Sequence, residues 1–86
     1  MEMFNEDDIV KYNGLFRVVE RESSFAVYFK DCIGRQFSFA PRMLVQTISE
    51  KDFYDFLEDF QDNKLYPVEL VEIFDKAITK YLSKHL

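Results

Sequence analysis

The spacing of apolar positions changes about halfway along this 86-residue chain. Up to Ile48, apolar residues recur at every second position or in short runs between turn residues, which is typical of β-strands. From Ser49 onward they recur at every third and fourth position, which is typical of amphipathic helices. The pattern therefore predicts an α+β fold in which a strand-rich half precedes two helices.

The clearest strand signal is the dipeptide Asn13-Gly14, which lies between IVKY and LFRVVE. Both central residues of a type I′ turn need positive φ, and Asn-Gly is a favoured sequence for that turn. A two-residue loop at this place sets the register of the two strands. The predicted pairs are Tyr12–Leu15, Lys11–Phe16, Val10–Arg17 and Ile9–Val18.

A second hairpin and a short closing strand are predicted before the helices. Side chains alternate between two faces over residues 25–30, and a tight turn then leads into a strand over residues 35–40. Pro41 ends that strand because it cannot donate a ladder hydrogen bond. Residues 44–48 supply the last strand. In the third strand, the side chains expected on one face are Phe25, Val27 and Phe29.

Five short strands in so few residues cannot form a sandwich, but they can curl into a small barrel that hides its sheet edges. The pattern DIVKYNGLFRVVERES, FAVYFKDCIGRQFSF and PRMLVQTI, over residues 8–48, resembles the SH3-like barrels. The resemblance implies a five-stranded antiparallel barrel built from two hairpins and a closing strand. It does not imply proline-peptide binding, since signalling SH3 domains use a Trp for that purpose and this chain has none.

The first helix is predicted over residues 49–62, SEKDFYDFLEDFQD. Ser49 is a favourable N-cap, and Asp52 three positions later completes a capping pattern. Four large apolar residues fall at i, i+3, i+4 and i+7 and make one face apolar: Phe53, Phe56, Leu57 and Phe60. The other positions carry six acids against the single base Lys51: Glu50, Asp52, Asp55, Glu58, Asp59 and Asp62.

The second helix is predicted over residues 67–84. Pro67 suits its first position, where a missing N–H costs nothing. Glu69 and Glu72 lie near its start and three lysines near its end, as the helix dipole prefers. Its apolar stripe consists of Leu70, Val71, Phe74, Ala77, Ile78, Tyr81 and Leu82.

The net charge of −5 is concentrated in one segment. Residues 1–48 carry −1, residues 49–66 carry −4 and residues 67–86 carry 0. An acidic balance disfavours non-specific binding to nucleic acids or anionic membranes, both of which need a basic surface. Ten Phe and five Tyr are more aromatic surface than a small core hides easily, so we expect some of them to be exposed as interface anchors.

Length and cysteine content set the wider expectations. Residues 1–86 should form a single domain, because two independent cores need more chain. Cys32 is the only cysteine, which excludes an intrachain disulfide and favours a reducing compartment. The acidic start lacks the basic and apolar regions of a signal peptide, and no run is long enough to span a membrane. We therefore expect a cytoplasmic protein.

No set of residues predicts catalysis, a cofactor or a metal site. His85 is the only histidine and is penultimate, so we interpret it as a solvated tail residue. Cys32 is expected to be half-buried in a turn. One Cys, one His and no Asp-x-Asp-x-Asp-Gly loop argue against zinc and EF-hand sites. The run 6–8, Glu-Asp-Asp, is interpreted as a solvated segment before the first strand.

The favoured function is a non-enzymatic protein-interaction module that binds a basic partner surface. Its predicted binding residues are Asp52, Asp55, Glu58, Asp59 and Asp62. A sharper form is an inhibitor that imitates nucleic-acid charge, since small acidic proteins of phages and mobile elements, and antitoxins, often look like this chain. The simpler interpretation is that these acids are only the solvated face of an amphipathic helix.

Two alternatives remain open. The chain could be a nucleic-acid-binding barrel with a dimerising helical appendage, which would need Tyr12 and Tyr28 to lie beside converging bases. The bases concerned are Arg17, Arg21, Lys30, Arg35 and Arg42. It could also be a structural homodimer subunit, in which the apolar face of the helix 67–84 packs against a second copy.

Overall fold

Five antiparallel strands and two helices make up the fold of the residues that the structure describes. The structure is a computed structural model that describes residues 4–32, 38–62 and 66–85. The strands are β1 (Ile9–Tyr12), β2 (Leu15–Glu22), β3 (Ala26–Phe29), β4 (Ser38–Pro41) and β5 (Gln46–Thr47), and the helices are α1 (Glu50–Asp62) and α2 (Val68–His85). The strand order in the sheet is β4-β3-β2-β1-β5. The prediction of an α+β chain with five antiparallel strands and two C-terminal helices is confirmed.

The first hairpin has the predicted register. Tyr12 pairs with Leu15, and the three further predicted pairs follow along β1 and β2. Asn13 has φ 54° and Gly14 has φ 77°, the positive values that a type I′ turn requires. The turn dipeptide therefore predicted the register of these strands correctly.

The sheet does not close on itself in the described residues. β5 pairs with β1 through Val10–Thr47 and Lys11–Gln46, whereas no pairing joins β5 to β4. The predicted strand 44–48 is shorter than expected, because Arg42–Leu44 form a 3₁₀ turn before it. The structure thus supports an open five-stranded sheet and does not confirm the predicted barrel.

The sheet has an apolar core on each face. Alternation along β1 and β2 sends Val10 and Val19 to one face, and Ile9 and Val18 to the other. The first core is formed by Phe4, Val10, Val19, Val27, Phe29, Ala40 and Val45. The second lies under the helices and contains Ile9, Val18, Phe53, Phe56, Phe74, Ala77 and Ile78.

Phe25 departs from the predicted face. Val27 and Phe29 are buried as expected, but Phe25 is 86% exposed. It lies at the tip of the β2–β3 turn, where the Ser23 N–H donates to the Ala26 carbonyl at 2.8 Å. The first core does not extend past Val27, so alternation no longer implies burial there. The predicted strand 35–40 falls partly on residues 33–37, outside the described chain.

Both helices pack on the sheet of their own chain. The Ser49 hydroxyl accepts a hydrogen bond from the Asp52 N–H at 3.1 Å, so the predicted N-cap is confirmed. The ring of Phe53 is fully buried and stacks on Tyr81 with centroids 3.8 Å apart. α2 begins at Val68, one residue later than predicted, and the Pro67 carbonyl accepts its first helical hydrogen bond. In the described chain, neither helix has the length and apolar character to cross a membrane.

Candidate interaction surface

The orientation of α1 decides where its acids lie. Phe53 and Phe56 are buried against the sheet and α2. Because the helix repeats every 3.6 residues, anchoring these two rings turns the opposite side outward. Four of the five predicted binding residues are consequently exposed: Asp55, Glu58, Asp59 and Asp62. Asp52, in the first turn, is only half-exposed. We call these four exposed acids the acidic face.

The acidic face has no ion-pair partner among the described residues. The salt bridges in the described part of the chain use other carboxylates, which are those of Glu6, Asp7, Asp8, Glu22 and Asp31. Within α1 the acids repeat at i and i+4, as in Asp55 and Asp59, a spacing at which like charges repel. The negative charge of this surface is therefore not neutralised by described side chains.

The lysines of α2 are directed to another part of the molecule. Lys80 Nζ lies 2.8 Å from Asp8 Oδ1, and Lys84 Nζ lies 3.7 Å from the same atom. Lys76 Nζ lies 3.8 Å from Asp7 Oδ2. All three approach the turn that precedes β1. These three lysines are therefore paired with the turn before β1 and not with the acids of α1.

A groove lies beside the acidic face. It separates the tip of the β1–β2 hairpin from α1 and the start of α2, and its volume is about 460 Å³. Its walls are mostly apolar: Leu15, Phe16, Phe56, Tyr66, Leu70 and Phe74. Asp59 also lines it, so one residue belongs both to the groove and to the acidic face. We call this feature the hairpin groove.

The polar end of the hairpin groove is an ion pair. Arg17 Nε donates to Asp31 Oδ2 at 2.7 Å, and Arg17 Nη2 donates to the Ser38 hydroxyl at 2.8 Å. The Val18 N–H donates to the other oxygen of Asp31 at 3.1 Å. Burial raises the pKa of the Asp31 carboxyl, although the Arg17 guanidinium and the Val18 N–H oppose this effect. The pair is nearly neutral as a unit, so it leaves the charge of Asp59 in place.

Three of the four described bases proposed for nucleic-acid binding are paired with carboxylates. Besides Arg17, Lys30 lies 2.7 Å from Asp7, and Arg42 is bound to Glu22. Arg21 lies over the Tyr28 ring, 3.9 Å from its centroid, while Arg35 is outside the described residues. Tyr12 stacks with Phe29, 6.1 Å between centroids, rather than beside Tyr28. Pairing with carboxylates reduces the positive charge that this half offers to phosphates.

Other expectations are corrected or lie outside the description. Asp7 is only 8% exposed and bound to Lys30, so the interpretation of residues 6–8 as solvated is wrong for this residue. Cys32 is half-buried as predicted, and its thiol donates to the Phe29 carbonyl. The side chain of His85 lies outside the described part. Within that part, no group of three or more His, Cys, Asp or Glu residues is arranged to hold a metal ion.

Sequence reasoning missed the hairpin groove and the role of Asp7 and Asp8. The groove joins a hairpin tip to residues more than 40 positions later, and no local pattern announces that contact. The only sequence feature that points to the groove is Leu15, an apolar residue directly after the turn. The hairpin itself does not require an apolar residue at that position. Leu15 is 61% exposed, which leaves an apolar side chain at the rim of the groove.

Comparisons with protein-family models, with curated proteins and with solved structures find no match for this chain, so its function must be argued from the residues themselves.

Proposed function

We propose that this chain is a non-enzymatic interaction module that binds the basic surface of another protein through helix α1. The observation that carries the proposal is the acidic face, four exposed acids with no ion-pair partner in the described chain. The binding residues are Asp55, Glu58, Asp59 and Asp62, with Asp52 at the edge of the same surface.

The physical reason is electrostatic steering. Uncompensated charges of one sign raise the rate at which a partner of opposite sign arrives, and they disfavour partners of the same sign. A rigid scaffold helps, because the buried rings of Phe53 and Phe56 hold α1 in one orientation. Nucleic acid is the less suitable partner, since three of the four described candidate bases, Arg17, Lys30 and Arg42, are bound to carboxylates.

The sharper form of the proposal is an inhibitor that occupies a nucleic-acid-binding groove of its target, as a phage-type antagonist or an antitoxin would. A regular row of carboxylates on a helix presents negative charges to bases that otherwise contact phosphates. We also propose that the sheet is an open relative of the SH3-like barrels. The two hairpins followed by a short strand that returns to β1 support that relation. A reducing, cytoplasmic location fits the single Cys32.

The test is capture of partners at low salt from a lysate of the cells that make the protein. The test variant carries Asp55→Lys, Glu58→Lys and Asp59→Lys. The matched control carries Glu69→Lys, Glu72→Lys and Asp75→Lys, which changes the net charge equally at exposed positions of α2. Both variants should keep the circular dichroism spectrum of the wild type, because none of the six side chains is buried.

We expect a basic protein to be captured by the wild type and by the control, and lost by the test variant. With the purified partner, the dissociation constant of the test variant should rise by about tenfold or more, and that of the wild type should rise with salt. Equal capture by all three proteins, or equal loss from both variants, would show that the acidic face is not the binding surface. The solvated-face interpretation would then stand.

A further inference from the structure

The hairpin groove joins an apolar cavity to a charged rim. Leu15 forms the outer edge of one wall and remains 61% exposed, while Tyr66 and Leu70 are half-buried in the opposite wall. Phe56 and Phe74 are buried below them. A volume of about 460 Å³ falls in the range of ligand sites, which are mostly apolar with a few placed polar groups. The cavity can cover one large side chain and part of its backbone.

The charges at the rim specify what should accompany that side chain. Asp59 lines the groove, and Asp55 lies one helical turn before it on the same exposed side of α1. A base placed next to the seated side chain would reach these carboxylates. An acidic neighbour would be repelled by them.

The opposite end of the groove offers a donor for the backbone. In the described chain Arg17 uses its Nε and one Nη2 hydrogen for Asp31 and Ser38. Arg17 lines this end of the groove, and a guanidinium has five N–H groups, of which the described hydrogen bonds use two. The bound Asp31 keeps this arginine from repelling a basic segment as a free charge.

We infer that the hairpin groove seats one large apolar side chain of a partner segment whose flanking residues are Lys or Arg. The inference rests on the proposed function and adds to it the kind of segment recognised. The apolar side chain contacts Leu15, Tyr66 and Leu70, and the flanking bases face Asp55 and Asp59. Burial of the apolar side chain supplies affinity, and the acids select the sequence around it.

A second copy of this chain is the less suitable occupant. Its net charge is −5, so a copy that approached the rim would bring further acids toward Asp55 and Asp59. Like charges placed together at an interface cost free energy. Charge complementarity therefore favours a basic segment of a different protein.

The experiment uses three synthetic peptides of equal length, titrated into the ¹⁵N-labelled full chain at low salt. The first has a central Phe flanked by lysines, the second replaces Phe with Ala, and the third replaces the lysines with Glu. We expect the first peptide to shift the amide signals of Leu15, Tyr66 and Leu70. Its affinity should exceed that of the Ala peptide by about tenfold, because only it buries a large side chain. The Glu peptide should not bind.

Matched variants place the site. Leu15→Ser removes the apolar rim, and Asp59→Asn removes the charge beside it. Met43→Ser is the control, since Met43 is 87% exposed and does not line the groove. Binding of the Phe peptide should weaken about tenfold in Leu15→Ser, weaken less in Asp59→Asn and stay unchanged in Met43→Ser. Each variant should keep the thermal transition of the wild type.

The failures of the two proposals give different results. If the Phe and Ala peptides bind equally, and both are lost when Asp55, Glu58 and Asp59 are reversed, the groove inference is overturned and the acidic face stands. If the reversed chain binds them as well as the wild type does, the proposed function fails too. Absence of any binding by the Phe peptide, or shifts confined to residues outside the groove, also overturns the inference.

Discussion

Two clusters of acids differ in whether they form ion pairs in the folded chain. One is the turn before β1, with Glu6, Asp7 and Asp8, and the other is the acidic face of α1. Both are rich in carboxylates along the chain: Glu6, Asp7 and Asp8 are consecutive, and α1 carries six acids against the single base Lys51. In the folded chain the first cluster is bound by lysines, whereas the second has no described ion-pair partner.

The N-terminal cluster connects three parts of the fold. Asp7 accepts a hydrogen bond from Lys30, directly after β3, and Asp8 accepts one from Lys80 of α2. The backbone of the same turn pairs with β2, since the Asp7 N–H donates to the Val19 carbonyl and the Val19 N–H donates to the Asp8 carbonyl, each at 2.9 Å. These acids serve the structure. The comparison teaches that charge density along the chain does not distinguish acids that form ion pairs within the fold from acids that stay exposed.

The largest effect on stability is expected from Asp7→Asn, which tests whether the ion-paired acids before β1 stabilise the fold. Asn keeps the shape and tolerates the positive φ of 69° at this position, so the change removes mainly the charge. Lys30 then loses its closest partner in a partly buried place. The free energy of unfolding should fall by about 1–3 kcal/mol, measured by urea denaturation. Asp62→Asn is the control and should change it by less than about 0.5 kcal/mol.

Equal effects of Asp7→Asn and Asp62→Asn would remove the distinction between the two clusters.

An intermediate, pH-dependent effect on stability is expected at Glu22, whose carboxylate also forms an ion pair within the fold. The Phe4 N–H and Arg42 both donate to its carboxylate, and the hydrogen bond from Phe4 is the main cause that lowers its pKa below the ordinary value of 4.5. The Glu22 carboxylate is therefore protonated at a higher pH in the unfolded chain than in the folded chain. Stability from Glu22 is therefore present above 4.5 and lost as the pH falls through the folded-state pKa.

Glu22→Gln should lower the free energy of unfolding at neutral pH and make it less sensitive to acid. Urea denaturation from neutral pH to below 4.5 measures how steeply the free energy of unfolding of each protein changes with pH. All other carboxyls are shared, so the difference in slope isolates Glu22. Parallel slopes would show that its carboxylate gains nothing from folding.

The smallest effect is expected from Asp59→Lys, which tests the unpaired side. The substitution replaces the repulsive pair of Asp55 and Asp59 by an attractive one and places a cation near the C-terminus of α1. The free energy of unfolding should rise by about 0.5 kcal/mol, measured by thermal and urea denaturation. Glu72→Lys is the matched control, because it makes the same charge change but creates a like-charge pair with Lys76. It should lower stability slightly, and a loss of stability in Asp59→Lys would indicate an undetected partner.

Local patterns in the sequence determined the elements of this fold. The Asn13-Gly14 turn set the register of β1 and β2, and Ser49 marked the start of α1. Both signals act between residues only a few positions apart, where backbone geometry allows few solutions. The periodicity of α1 also determined which of its sides is apolar, and hence that Asp55, Glu58, Asp59 and Asp62 lie outward.

Only the tertiary structure decided which charged side chains form ion pairs and where a cavity lies. Asp8 and Lys80 are 72 positions apart, and the hairpin groove is lined by Leu15 from the first hairpin and by Tyr66 from the segment before α2. The exposure of Phe25 likewise depends on where the first core ends rather than on alternation along the strand. Such contacts are set by how whole elements pack, and the short-range spacing of residues carries no record of them.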